Sequence, residues 1–143
     1  MNDPADRVER TVGACASAER RQIMITVKWA CRYGWVRRAA AMTDFVLPLI
    51  EPTFDIDQLI DTYTTLRAAA LNTGEERIAW RAEYHRANLV QHSQPAEAAR
   101  LFRDCAQAFH RLGAATELDH TLARIDPPPA RQGHDTTATA DCC

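Results

Sequence analysis

The chain has 143 residues, 46% of them apolar and 25% charged, which is a one-domain length with the composition of an ordinary globular protein. Its formal charge is −2: residues 1–51 carry eight basic and six acidic side chains and residues 75–125 seven of each, without the positive surplus that phosphate binding leaves. No apolar run approaches the ~20 residues needed to cross a bilayer, and Met1-Asn2-Asp3-Pro4 lacks a signal peptide's apolar segment, so the expected location is cytoplasmic.

In chain order, the patterning is helical throughout. Asp3 and Pro4 suit a helix start, with Asp as cap and Pro at the first helical position, and Val8, Val12 and Cys15 form a short stripe behind them. A second helix is expected from about Ala18 to Tyr33, with Ile23, Val27, Ala30 and Cys31 on one face. Ile25 and Trp29 on its other face predict cover on two sides. Gly34 ends it. A third helix from Trp35 to about Ile50 carries Val36, Ala39, Ala40, Thr43, Val46, Leu47 and Ile50, and Pro48 predicts a kink or early end near Leu47.

Asp55 caps a fourth helix whose buried side is Ile56, Leu59, Ile60, Tyr63, Leu66 and Leu71. Thr73-Gly-Glu-Glu76 has the spacing of a capping box and is expected to start the fifth, with Ile78, Ala79, Trp80, Ala82 and Leu89 inward. The sixth, from Pro95 to Gly113, is the clearest: Ala98, Leu101, Phe102, Cys105, Ala108, Phe109 and Leu112 lie on one stripe of a 3.6-residue helix. Ala115, Leu118, Leu122 and Ile125 make a shorter seventh. The expected organisation is therefore an all-α domain of about seven helices over residues 1–126. A disordered tail is expected over 127–143, where Pro127-Pro128-Pro129 and polar residues replace the large apolar ones.

Gly34, Gly74 and Gly113 stand 40 and 39 residues apart, each at a helix boundary, and a period near 40 in a helical chain points to stacked helix pairs. The stretch Glu76–Ile125, with Ala98-x-x-x-Phe102-x-x-Cys105 and Phe109-x-x-Leu112-Gly113 followed directly by another helix, resembles a tetratricopeptide repeat. It is most similar to the roughly 40-residue variety in the C-terminal regions of bacterial transcription regulators and signalling ATPases. The resemblance covers about fifty residues well and Gln22–Ala40 loosely. It implies antiparallel helical hairpins in a short right-handed solenoid whose concave face, lined by the first helix of each pair, grips a peptide or helix. Arg77, Arg81, Tyr84 and Asn88, at offsets 0, 4, 7 and 11 on the fifth helix, share one face and are the candidate partner-binding residues. The bland alternative for them is a solvated helix face.

Other chemistry is sparse. Glu117 and His120 have the spacing used in di-iron bundles, but that architecture needs a second Glu-x-x-His, and none occurs. Cys15, Cys31 and Cys105 fall on apolar stripes, where a thiol behaves as a small inert hydrophobe. There is no glycine-rich phosphate loop, and no cofactor or metal is expected. Cys142-Cys143 resembles the prenylated dicysteine ending of some eukaryotic trafficking GTPases, but the sixteen arginines against one lysine, Lys28, accompany GC-rich bacterial genomes. Arg20, Arg21, Lys28, Arg32, Arg37 and Arg38 bracket a helix–Gly–helix unit that could read DNA. The reading preferred on sequence is a non-enzymatic interaction or scaffold module with a protein or peptide partner. Self-association through uncovered end helices is open, neither membrane nor nucleic acid is an expected partner, and a DNA-binding regulator is the alternative.

Overall fold

The computed structural model describes the backbone of residues 4–50 and 55–127 and the side chains of residues 18–45 and 55–127. Among the described residues the regular secondary structure is six helices and no strand: α1 (Pro4–Arg32), α2 (Val36–Ile50), α3 (Ile56–Asn72), α4 (Glu76–Val90), α5 (Pro95–Leu112) and α6 (Ala115–Ile125). The expectations for Asp3, for the side chains of Val8, Val12, Cys15, Val46, Leu47 and Ile50, and for the tail beyond residue 127 with Cys142 and Cys143 lie outside the described residues.

Six helices replace the expected seven because the first two are one. Between Cys15 and Glu19 the chain has only Ala and Ser, with no glycine or proline to end the ladder, so α1 runs unbroken for 29 residues. Likewise α2 continues through Pro48 to Ile50 rather than ending near Leu47. Proline there removes the N–H that would bond to the carbonyl four residues earlier, without ending the helix.

The three glycines each end a helix in the same way. Gly34, Gly74 and Gly113 have φ of 74°, 75° and 66°, the left-handed region where a side chain is strained. In each case the glycine N–H bonds back to the carbonyl of Cys31, Leu71 or His110. The next N–H reaches Ala30, Ala70 or Phe109, at 2.8, 2.8 and 2.9 Å. This pair of bonds is a Schellman closure, and the following helix starts one residue later. At the middle turn it overrides the expected capping box. The Thr73 hydroxyl bonds back to Ala69 (3.0 Å) and Ala70 (3.3 Å), so it belongs to the end of α3, and Glu75 precedes α4 with no side-chain cap. Asp55 caps α3 as expected, accepting from the Asp57 N–H at 3.2 Å.

Burial follows the same period. On α3 the buried Leu59, Thr62, Tyr63, Leu66 and Ala70 correspond, 39 residues on, to buried Ala98, Leu101, Phe102, Cys105 and Phe109 of α5. Ala39 and Thr43 of α2 are likewise buried, as are Ala79 and Glu83 of α4, 40 residues later. α3 packs on α4, α4 on α5, α5 on α6, and α1 on α2 and α3. One core joins Val27, Ala30 and Cys31 to Val36, Ala39, Leu59, Tyr63, Leu66 and Ala79, and two smaller ones centre on Phe102 and Phe109. Four expectations of burial fail: Ile56, Leu71 and, on the outer face of α1, Trp29 are about half exposed, and Ile25 is 42% exposed. Among the described residues no helix is long and apolar enough to cross a membrane.

Candidate functional site

Two arginines of α4 reach carboxylates on the even-numbered helices α2 and α6. Arg77 forms a bidentate pair with Glu117 of α6, Nε to Oε1 at 2.8 Å and Nη2 to Oε2 at 2.9 Å. One turn along, Arg81 donates to Asp44 of α2. Between these ion pairs runs a groove of about 480 Å³, lined also by Tyr84, His85, Phe109 and His120. Burial raises the Glu117 carboxyl, but the Arg77 hydrogen bond, a backbone bond and the charges of Arg77 and Arg81 outweigh it and hold the group below its usual range.

The aromatic floor is stiff. His85 stacks on Tyr63 of α3 with centroids 5.0 Å apart and planes 17° apart. Tyr84 sets its edge against His85 (5.6 Å) and against Phe102 of α5 (5.7 Å). Burial pushes the imidazole of His85 down; Asp44 raises it and Arg81 lowers it, and the balance remains below its ordinary 6.5.

Of the four residues expected to share a binding face, Arg77, Arg81 and Tyr84 line the groove and Asn88 is not among its lining residues. The Asn88 amide turns back on its own helix, donating to the Tyr84 carbonyl at 3.1 Å, while its Oδ1 is buried without a hydrogen bond. The offsets keep Asn88 on the same side of α4, but at 1.5 Å per residue it lies roughly 16 Å along the axis from Arg77, past the two ion pairs. The two arginines are engaged with neighbouring helices, which sequence spacing on α4 alone does not reveal. Asp44 of α2 and Glu117 of α6, which spacing on α4 does not point to, complete the groove together with Phe109 from the α5 stripe.

The remaining candidates fall elsewhere. Lys28 donates to Asp61 (2.5 Å) and Arg37 to Glu75 (2.7 Å), so two of the six cations around the first turn are held by carboxylates. His120 is exposed, and among the described residues no three His, Cys, Asp or Glu side chains are grouped to hold a metal. Cys31 and Cys105 are buried free thiols. Burial raises both, and Cys105, with Glu83 and Asp104 adding to the effect, is pushed up to about 12.

A feature that sequence reading missed is Glu83, only 4% exposed inside α4. It accepts from Arg86 at 3.0 Å, and Arg67 of α3 lies 3.1 Å from its Oε2 as an ion pair without hydrogen-bond alignment. A second missed feature is a cleft of about 800 Å³ between α1 and α2, walled by Ile25, Trp29, Tyr33, Trp35 and Met42. The available signal was Trp29 and Tyr33, four residues apart on the α1 face opposite its core stripe. The chain matches no family model, no curated protein sequence and no solved structure.

Proposed function

We propose that the protein is a non-enzymatic, cytoplasmic interaction module, built as a short tetratricopeptide-like right-handed stack of helical hairpins. On this reading, α2, α4 and α6 form the face that holds a peptide or helix of a protein partner. The 39-residue correspondence of buried positions and the recurring glycine closure support the stacking. The observation that carries the binding role is the groove itself, about 480 Å³ and braced on both sides by arginine–carboxylate pairs.

The groove's chemistry defines what it selects. Arg77 and Arg81 are balanced by Glu117 and Asp44, so the site is close to neutral and does not choose by net charge. Each guanidinium has five N–H donors, and Arg77 spends two of them on Glu117. Donors remain for peptide carbonyls, while Tyr84 and Phe109 offer apolar contact. Because the ion pairs hold the arginines in place before a ligand arrives, little side-chain freedom is lost on binding.

The test is affinity capture from host lysate with the full chain, beside Arg81→Ala and Tyr84→Ala, followed by calorimetry on the protein recovered. We expect a partner held by the parent and weakened at least about tenfold by either variant. Recovery of DNA alone, lost with salt and in the Arg37→Ala, Arg38→Ala double variant, would transfer the function to the basic first turn.

A further inference from the structure

We infer that the cleft between α1 and α2 is a second docking surface, separate from the groove, and that its occupant is an acidic amphipathic helix. The argument begins with three aromatic rings left in water: Trp29, Tyr33 and Trp35 are 56%, 58% and 55% exposed. They form one continuous ladder, Trp29 to Tyr33 at 5.5 Å and Tyr33 to Trp35 at 5.9 Å. Ile25, at 42% exposed, and Met42 extend the apolar wall on either side of a space of about 800 Å³. A contiguous exposed surface of this kind marks an interaction site, whereas scattered apolar residues do not.

The shape fits a helix. Ile25 and Trp29 on α1 and Tyr33 just past its end are spaced by four residues, a ridge of about 12 Å at 1.5 Å per residue, and α2 forms the opposite wall. A trough between two packed helices accepts side chains spaced at i, i+3, i+4 and i+7 on a third.

Charge selects the kind of helix. Residues 18–45 carry six basic and two acidic side chains, and Lys28 and Arg37 are answered by Asp61 and Glu75. Of the two acids, Asp44 is committed to Arg81 in the groove. Arg21 and Arg32 lie on the strip of α1 adjoining Ile25, and Arg38 stands 5.4 Å from the Trp35 ring centre on the α2 side. Among the described residues none of these three arginines has a carboxylate partner. A ligand helix with carboxylates flanking its apolar anchors would supply them. A second copy joined face to face would instead set these arginines against their own counterparts. The aliphatic walls Ile25 and Met42 suit side-chain anchors better than the flat faces that stack nucleobases.

The experiment is selection of a displayed library of random peptides, each about sixteen residues long, on the full chain. The expected winners carry net negative charge with aliphatic or aromatic residues at helical spacing. They blue-shift the tryptophan fluorescence and bind at least about tenfold more weakly to Trp29→Ala, Trp35→Ala and the Arg32→Glu, Arg38→Glu pair. Arg81→Ala binds them like the parent, which separates this cleft from the groove. Circular dichroism confirms that the variants fold, as the replaced groups are exposed. No enrichment, winners without acidic residues, or binding indifferent to Trp29 and Trp35 would overturn the inference. So would self-association lost in Trp29→Ala, or tight binding of oligo(dT) at the same residues.

Discussion

The first and the last hairpins use the same turn and bury opposite kinds of residue. In α5 the large side chains are inside: Phe102 is 3% and Phe109 1% exposed. In α1 the buried positions are small, Val27, Ala30 and Cys31, and the large ones, Trp29 and Tyr33, face out. Each helix has an apolar stripe of correct period, so amphipathicity alone does not distinguish a stripe that builds a core from one that waits for a partner. The difference lies in what stands opposite: α5 is enclosed by α4 and α6, whereas the outer face of α1 looks onto a cleft.

Breaking the enclosed side should cost most. Phe109→Ala empties the centre of the third core cluster, against Cys105, Trp80 and Leu118, and is expected to destabilise by about 4 kcal/mol in urea unfolding. Glu83→Ala leaves Arg67 and Arg86 facing a buried gap. Because both arginines are partly exposed, the low end of the usual range applies, about 3 kcal/mol in the same assay. Gly74→Ala has open space for its new Cβ, so the whole cost is the left-handed backbone, roughly 1–2 kcal/mol.

A smaller effect depends on pH. The folded His85 imidazole is held below its ordinary 6.5, chiefly by burial, so the unfolded chain binds a proton more readily. Stability is fully present above that value and declines as pH falls from it through the depressed folded value. His85→Phe, which keeps the stack on Tyr63, should flatten this part of the profile; an unchanged slope in melts between pH 7 and 5 would refute the assignment. The smallest effect belongs to the open side. Trp29→Ala should move stability by no more than about 0.5 kcal/mol, and a loss comparable to that of Phe109 would show the two hairpins to be equivalent after all.

Much of the frame was legible without coordinates. The α5 stripe was read residue by residue, since a helix with solvent on one side must repeat its apolar residues every 3.6 positions. The three glycines were found as boundaries because only glycine enters the left-handed region without strain. Local signals failed where two were in conflict. Thr73 could have opened α4 or closed α3, and the Schellman bond from Glu75 to Ala70 resolved it in favour of closing.

The functional surfaces were less readable, for a different reason. Spacing on one helix groups Arg77, Arg81, Tyr84 and Asn88, of which the first three line the groove while the Asn88 amide bonds to the Tyr84 carbonyl. That Arg81 meets Asp44, 37 residues earlier, and Arg77 meets Glu117, 40 residues later, has no trace in the spacing of α4. Glu83 was passed over because a carboxylate among inward positions looks like a surface residue until Arg67 and Arg86 are seen beside it. Periodicity and turn chemistry act between near neighbours in the chain, so helix type, helix ends and the apolar stripes were encoded locally. Which stripe is covered, and which charge neutralises which, depends on contacts between residues tens of positions apart; those emerge only when the helices pack.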